Sequence, residues 1–366
     1  MAFKSLSKKI TASLTAAALG VSLTFSAPVE AAADWSGILG AVINGATAYN
    51  QINGQIKTFN NTEQGRNQLY NQYREEKGVN TDPELNRRLD NIMKNLTAAV
   101  GKVDKTIYDK PYKYFVAEDE TLNAACSLGH VMFVNVGAFQ HLATDDEIAA
   151  IVGHEMGHGQ KDHVAKGNKS RINKLVVAQL GVSAVGGGTL ANVVGGVLAN
   201  NSVAHGDKKH ETEADNLAWE YMLNTDYNIG ACAAVMQRLS ELYGGKAQSK
   251  LKAWLNPSNH PNTDSRRDNY EKKLHEYSGK HVSFSDGVLL VNKKKFMTVA
   301  KTSSMSSAER SYFVYGNLAK AYHSGQNKNS ATVRNGTVYL GSQEIVTPAA
   351  GDEDAYTLAE RLNAIK

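Results

Sequence analysis

The chain is poor in cysteine: Cys126 and Cys232 are the only two in 366 residues. Two cysteines cannot build a cysteine-rich structural zinc site. They fall in separate predicted elements, so no pairing is legible from spacing, and two buried free thiols are the expectation. A dominant charge is missing too. The formal net charge is +4, and no dense Lys/Arg block interleaved with aromatics occurs. That argues against a nucleic-acid partner. With 42% hydrophobic and 21% charged residues the composition is that of a globular protein. It allows a sizeable core in one large domain or two.

Two stretches lack charge altogether, or nearly so. "ITASLTAAALGVSLTFS" follows Lys4, Lys8 and Lys9 and precedes the small residues of "APVEAAADW". This is the anatomy of a secretory signal peptide, so residues 1–33 are read as a targeting segment and kept out of the fold. No cysteine follows the apolar run, which argues against a lipid-anchored form. Losing the three lysines and Glu30 with this segment leaves a charge of about +2. The second stretch, 175–206, has no Asp, Glu, Lys or Arg over 32 positions. It is long enough to span a bilayer, but seven glycines and scattered polar residues interrupt it. A helical hairpin packed on the protein body, or touching a membrane surface peripherally, fits better than a spanning helix.

What is present reads mostly as helix. Residues 34–81 form an N-terminal helical segment. "DPELNRRLDNIMKNLTAAVGKV" opens with Thr81 or Asp82 as N-cap and Pro83 in the first turn. It places Leu85, Leu89, Ile92, Met93 and Leu96 on one face. Two short β-rich runs follow at 112–117 and 131–136, joined by "EDETLNAACSLGH". From Thr144 the pattern is helical again, and Glu147 three positions on completes a capping box. Further helices are expected over 210–224, over 229–245, stopped by its two final glycines, and over 266–277. Beyond residue 280, "DGVLLVNKKKFMTVA" and "NGTVYLGSQEIVTPA" align without gaps, and each precedes an amphipathic stretch. They read as two β-hairpin-helix repeats forming a small C-terminal domain, 280–366.

The chemistry concentrates in "VGHEMGHGQKDH", residues 152–163. On a helix, residues four apart share a face, so His154 and His158 can bind one ion together. Glu155, one step round, is placed to reach a water on that ion. This is the mechanical basis of HExxH as a zinc-hydrolase signature. Gly157 counts against a comfortable helix, at a cost of up to about 1 kcal/mol. A catalytic zinc site needs a third protein ligand. The downstream candidates are His163, His205, His210, Glu211, Glu213 and His260. His163 lies off the metal-facing side of a continuous helix and reads, with Asp162, as a bystander. No His-x-x-Gly-x-x-His continuation exists, which excludes the metzincin arrangement. In "ETEAD", Glu211 and Asp215 share a face, so one can ligate while the other accepts from a ligand histidine. Facing favours Glu211 over Glu213 without deciding it.

Four stretches in order, "NAACSLGHVMFVNVGAF", "DDEIAAIVGHEMGHGQKDH", "ETEAD" and "NHPNTDSR", resemble metallopeptidase family 48, the HtpX/BepA/CAAX prenyl protease-like zinc endopeptidases. The resemblance covers about residues 82–275 and is closest to a soluble, exported branch. It implies an α+β fold: a predominantly helical zincin (gluzincin) catalytic domain, 82–279, with a short edge sheet, plus the C-terminal repeats. It implies one Zn²⁺ per chain held by His154, His158 and Glu211, with Glu155 as general base. Asp215 and Arg266 would support the ligands, and His260 would approach the metal to steady an oxyanion or to block the site. Asn123 and Ala124 match an Asn-Ala turn before an edge strand, where an extended substrate would add as a strand. Met156 and Gly157 stand where bulkier residues are usual, and Cys126 where an aliphatic is. The function implied is a zinc metalloendopeptidase acting on polypeptides in the periplasm, the cell envelope or outside the cell. Envelope protein quality control fits that role. The alternative is a zinc-bearing envelope chaperone or assembly factor with little proteolysis.

Overall fold

A computed structural model describes residues 46–170, 208–243 and 263–366. The targeting segment 1–33, the uncharged stretch 175–206 and His260 lie outside these residues.

Three helices come first: α1 (Ala46–Asn61), α2 (Glu63–Lys77) and α3 (Pro83–Val103). Of the two N-cap candidates for α3, Asp82 takes the role. Its Oδ1 accepts from Glu84 N at 2.8 Å and Leu85 N at 3.3 Å, ahead of Pro83. Leu89, Ile92, Met93 and Leu96 are buried, as the 3.6-residue period requires. Then β1 (Lys113–Ala117), β2 (Ala124–Cys126) and β3 (Val131–Asn135) form a sheet of order β1-β3-β2, β1 parallel and β2 antiparallel to β3. The three-residue β2 was hidden in the sequence because "AAC" has neither length nor β-branching to mark it. Alternation sorts the side chains of this sheet. Phe115, Ala117, Ala125, Val131 and Phe133 join Phe59, Leu69 and Tyr73 of α1 and α2 in one cluster. Val116, Ala124, Cys126, Met132 and Val134 face α3 and the main core. Both cysteines are free and buried.

The short α4 (Val136–His141) leads to α5 (Asp145–Gln160), where the Thr144/Glu147 capping box is complete. Then come α6 (Lys208–Leu223), α7 (Ala231–Tyr243) and α8 (Thr263–Tyr277). No helix among the described residues is long and apolar enough to cross a membrane.

The C-terminal repeats differ from two hairpins. Each is a three-stranded antiparallel meander followed by a helix: β4 (Val282–Ser285), β5 (Val288–Val291), β6 (Lys294–Thr298) and α9 (Ser307–His323), then β7 (Ala331–Arg334), β8 (Thr337–Leu340), β9 (Gln343–Val346) and α10 (Ala355–Ile365). The extra strands precede Asp286 and Asn335, where the sequence match begins. Those two residues adopt φ of 51° and 50°, each ahead of a left-handed glycine, and a bulge recurs at Leu289/Leu290 and Val338/Tyr339. Asp352 ties the repeats together, its two oxygens accepting from the equivalent backbone N–H groups of Ala300 and Ala349.

These repeats reach the start of α5. Ser306 and Glu309 make a capping box on α9, as Thr144 and Glu147 do on α5. Both glutamates are fully buried. Burial, and then the neighbouring Glu147 carboxyl, hold Glu309 well above the usual carboxylate range.

Candidate metal centre

Helix α5 supplies His154, Glu155 and His158, α6 supplies Glu211 and Asp215, and α8 supplies Arg266 and Tyr270. The helices can approach because Gly157 has no side chain. A Cβ there would meet the Cα and carbonyl oxygen of Ala214, both at 3.1 Å. The glycine that weighs against a helix by propensity is what lets α6 cross α5 closely, so tertiary packing overrides it.

At this crossing the two imidazoles and the Glu211 carboxylate converge. His154 Nε2 is 3.1 Å from His158 Nε2, 3.4 Å from Glu211 Oε2, and His158 Nε2 is 3.3 Å from Glu211 Oε1. One ligand atom from each of the three residues lies within 4.8 Å of the others, with His154 and Glu211 buried. Two imidazole nitrogens and a carboxylate oxygen aimed at one point are a donor set that fits a divalent transition metal such as zinc. Glu213, the other candidate on this helix, points away from that point and lies 3.2 Å from His163 Nε2.

The other face of His154 is clamped. Asp215 Oδ1 is 3.0 Å from its Nδ1. Arg266 donates to Asp215 twice, Nη2 to Oδ1 at 2.6 Å and Nε to Oδ2 at 2.8 Å, and Tyr270 Oη donates to Oδ1 at 3.0 Å. Asp215 is buried, which by itself would raise its pKa. The Arg266 guanidinium and His154 outweigh that and hold it well below the usual range. Burial and Arg266 depress His154, yet hydrogen bonds to Asp215 and Glu211 bring it to about 9.

Glu155 is fixed from the sheet: its Oε2 accepts the N–H of Cys126 at 3.0 Å. Residues 123, 125 and 127 turn their backbone groups to β3, so those of Ala124 and Cys126 face away. Glu155 takes the Cys126 N–H and leaves the groups of Ala124 on the outer edge of β2. Asn123, just before, is buried, and its Oδ1 has no hydrogen-bond partner among the described residues.

His163 is not a bystander. Its Nδ1 lies 3.0 Å from His158 Nδ1, and its ring stacks on His210 at 4.1 Å. Burial first, then His158 and His210, push its pKa well below the ordinary histidine value, so it is neutral. The expectation failed because it assumed a continuous helix. The chain leaves α5 after Gln160, and Asp162 adopts φ 49°. Asp162 also accepts from Asn60 Nδ2 at 3.0 Å and Lys110 Nζ at 3.2 Å, which holds the turn.

A helical core with a short three-stranded sheet, carrying a buried His-His-Glu cluster at a helix crossing, defines a protein of the metallopeptidase class of folds. Residues 83–273 match peptidase family M48, and the chain belongs to that family. A protein of Vibrio cholerae named as a beta-barrel assembly-enhancing protease is 24% identical over 176 residues, 45% of this chain and 35% of its own length. Metalloprotease LoiP of Escherichia coli is 27% identical over 158 residues, 43% of this chain and 62% of its own. Mitochondrial metalloendopeptidase OMA1 of Arabidopsis thaliana is 26% identical over 161 residues, 40% of this chain and 32% of its own. The chain therefore spans less than two thirds of the length of each of these relatives.

Proposed function

We propose that this protein is an exported zinc metalloendopeptidase that hydrolyses peptide bonds of polypeptides, in the cell envelope or beyond it. The observation that carries the reading is the meeting of His154 Nε2, His158 Nε2 and the Glu211 carboxylate, with Glu155 held beside them by the edge strand. His154, His158 and Glu211 would hold one zinc ion. When bound, zinc supplies Lewis acidity that polarises a peptide carbonyl and makes water a stronger acid. Glu155 accepts the proton of the attacking water and returns it to the leaving amine. Its bond to Cys126 N–H keeps the carboxylate oriented between the centre and β2. An extended substrate would pair with the outward-turned backbone groups of Ala124, beside Asn123, on the side of β2 away from β3. His260, outside the described residues, would steady the oxyanion or block the site, as the family resemblance implies. Residues 82–279 form the catalytic unit and 280–366 an accessory unit. The names of the Vibrio cholerae and Escherichia coli relatives support protein substrates, and that of the Vibrio cholerae relative, which enhances beta-barrel assembly, supports a role in envelope protein quality control.

The test is Glu155→Gln on the purified chain. The variant should keep its zinc and lose casein hydrolysis by about 10²–10⁴-fold, the usual range for a missing general base. Zinc-dependent hydrolysis at the wild-type rate would refute the assignment. Wild-type protein that holds unfolded envelope proteins without cutting them would favour an assembly factor.

A further inference from the structure

The second ring nitrogen of His158 faces a residue that the proposed chemistry does not use. His158 Nδ1 is 3.0 Å from His163 Nδ1, and His163 Nε2 is 3.2 Å from Glu213 Oε2. The His163 ring is 4% exposed and lies nearly parallel to that of His210, 12° between planes. One proton arrangement satisfies both contacts. With His158 Nε2 committed to the centre, its Nδ1 carries the hydrogen and donates to a bare Nδ1 on His163. His163 then carries its own hydrogen on Nε2 and donates to Glu213. Five positions along an unbroken helix would turn residue 163 about 140° away from residue 158. The left-handed turn at Asp162, anchored by Asn60 and Lys110, brings the ring back. A helical run then starts at residue 163.

We propose that His163 is a positioning residue that fixes the tautomer and ring orientation of His158, and that Glu213 fixes His163 in turn. This deepens the zinc-centre reading and rests on it. A ligand imidazole whose outer nitrogen is held binds metal better, because the correct tautomer and angle are set beforehand. His163 touches neither the metal point nor a substrate, so its effect belongs in metal affinity.

Zinc dissociation constants, measured by chelator competition on the full chain, test this with thermal melts alongside. His163→Phe keeps a ring against His210 and removes both nitrogens. His163→Asn places an amide oxygen near the position of Nδ1 and keeps the acceptor. The expected result is about 10–100-fold weaker zinc binding for His163→Phe, with most of the loss recovered in His163→Asn. With Co²⁺ as the probe, the visible absorption of His163→Phe should change and that of His163→Asn should resemble wild type. Zinc binding by His163→Phe within about twofold of wild type overturns the proposal, as does equal weakening in both variants. Imidazole ¹⁵N NMR on zinc-loaded wild type gives a check that needs no variant. The proton must sit on Nε2 of His163 and Nδ1 of His158, and the opposite tautomer at His163 overturns the proposal. Failure of the underlying reading looks different: wild type would bind no zinc, or Glu211→Ala would bind it as tightly as wild type.

Discussion

The two histidines of the centre sit one turn apart on the same helix, yet their outer faces are held in opposite ways. His154 leans on an ion pair sealed in the core: Asp215, Arg266 and Tyr270 are all buried, and the guanidinium grips the carboxylate with two bonds. His158 leans on a neutral imidazole, with Glu213 behind it at 41% side-chain exposure. The first support is electrostatic and costs much to disturb, because a lone charge would stay behind out of water. The second runs through an uncharged imidazole to a carboxylate near solvent, where that one charge is screened. One helix thus carries a rigid ligand and a more adjustable one.

Substitutions can break this contrast. Arg266→Met should have the largest effect, leaving Asp215 buried without its partner. A loss of about 3–5 kcal/mol in urea unfolding is expected, and a loss under about 1 kcal/mol would mean the pair is no clamp. Tyr270→Phe removes one donor to the same carboxylate. It should cost about 1–2 kcal/mol, read from the urea midpoint, since the acceptor is charged but keeps its arginine. Glu213→Gln should be the mildest. The amide can still accept from His163, so zinc affinity should stay within about threefold and stability within about 0.5 kcal/mol. If Glu213→Gln matched Arg266→Met, the two flanks would be equivalent after all.

Legibility in the sequence followed the same divide. Anything governed by helical spacing was readable: His154 with His158, Glu211 with Asp215, the Thr144/Glu147 box and the apolar face of α3. Arg266 was placed by resemblance, since nothing local ties it to Asp215 across 51 positions. His163 was misread because its approach depends on one non-glycine residue entering the left-handed region, which periodicity does not register. Edge strand β2 escaped because its partner, β3, and the Glu155 carboxylate define it more than its own residues do. The first strand of each C-terminal repeat escaped because the recurring sequence begins after it. Gly157 was read by propensity alone, while its use is set by Ala214 on another helix.

That last contact bears on the order of events during maturation. Where α5 and α6 meet backbone against backbone, their spacing does not depend on an ion between them. On the zinc-centre proposal, helix packing sets the positions of His154, His158 and Glu211, in contrast to small zinc domains whose folding is driven by the ion. Metal capture would then be a late and reversible step on a finished scaffold. A chelator should then empty this protein without unravelling it, and metal supply in the compartment, rather than chain folding, sets how many molecules are competent.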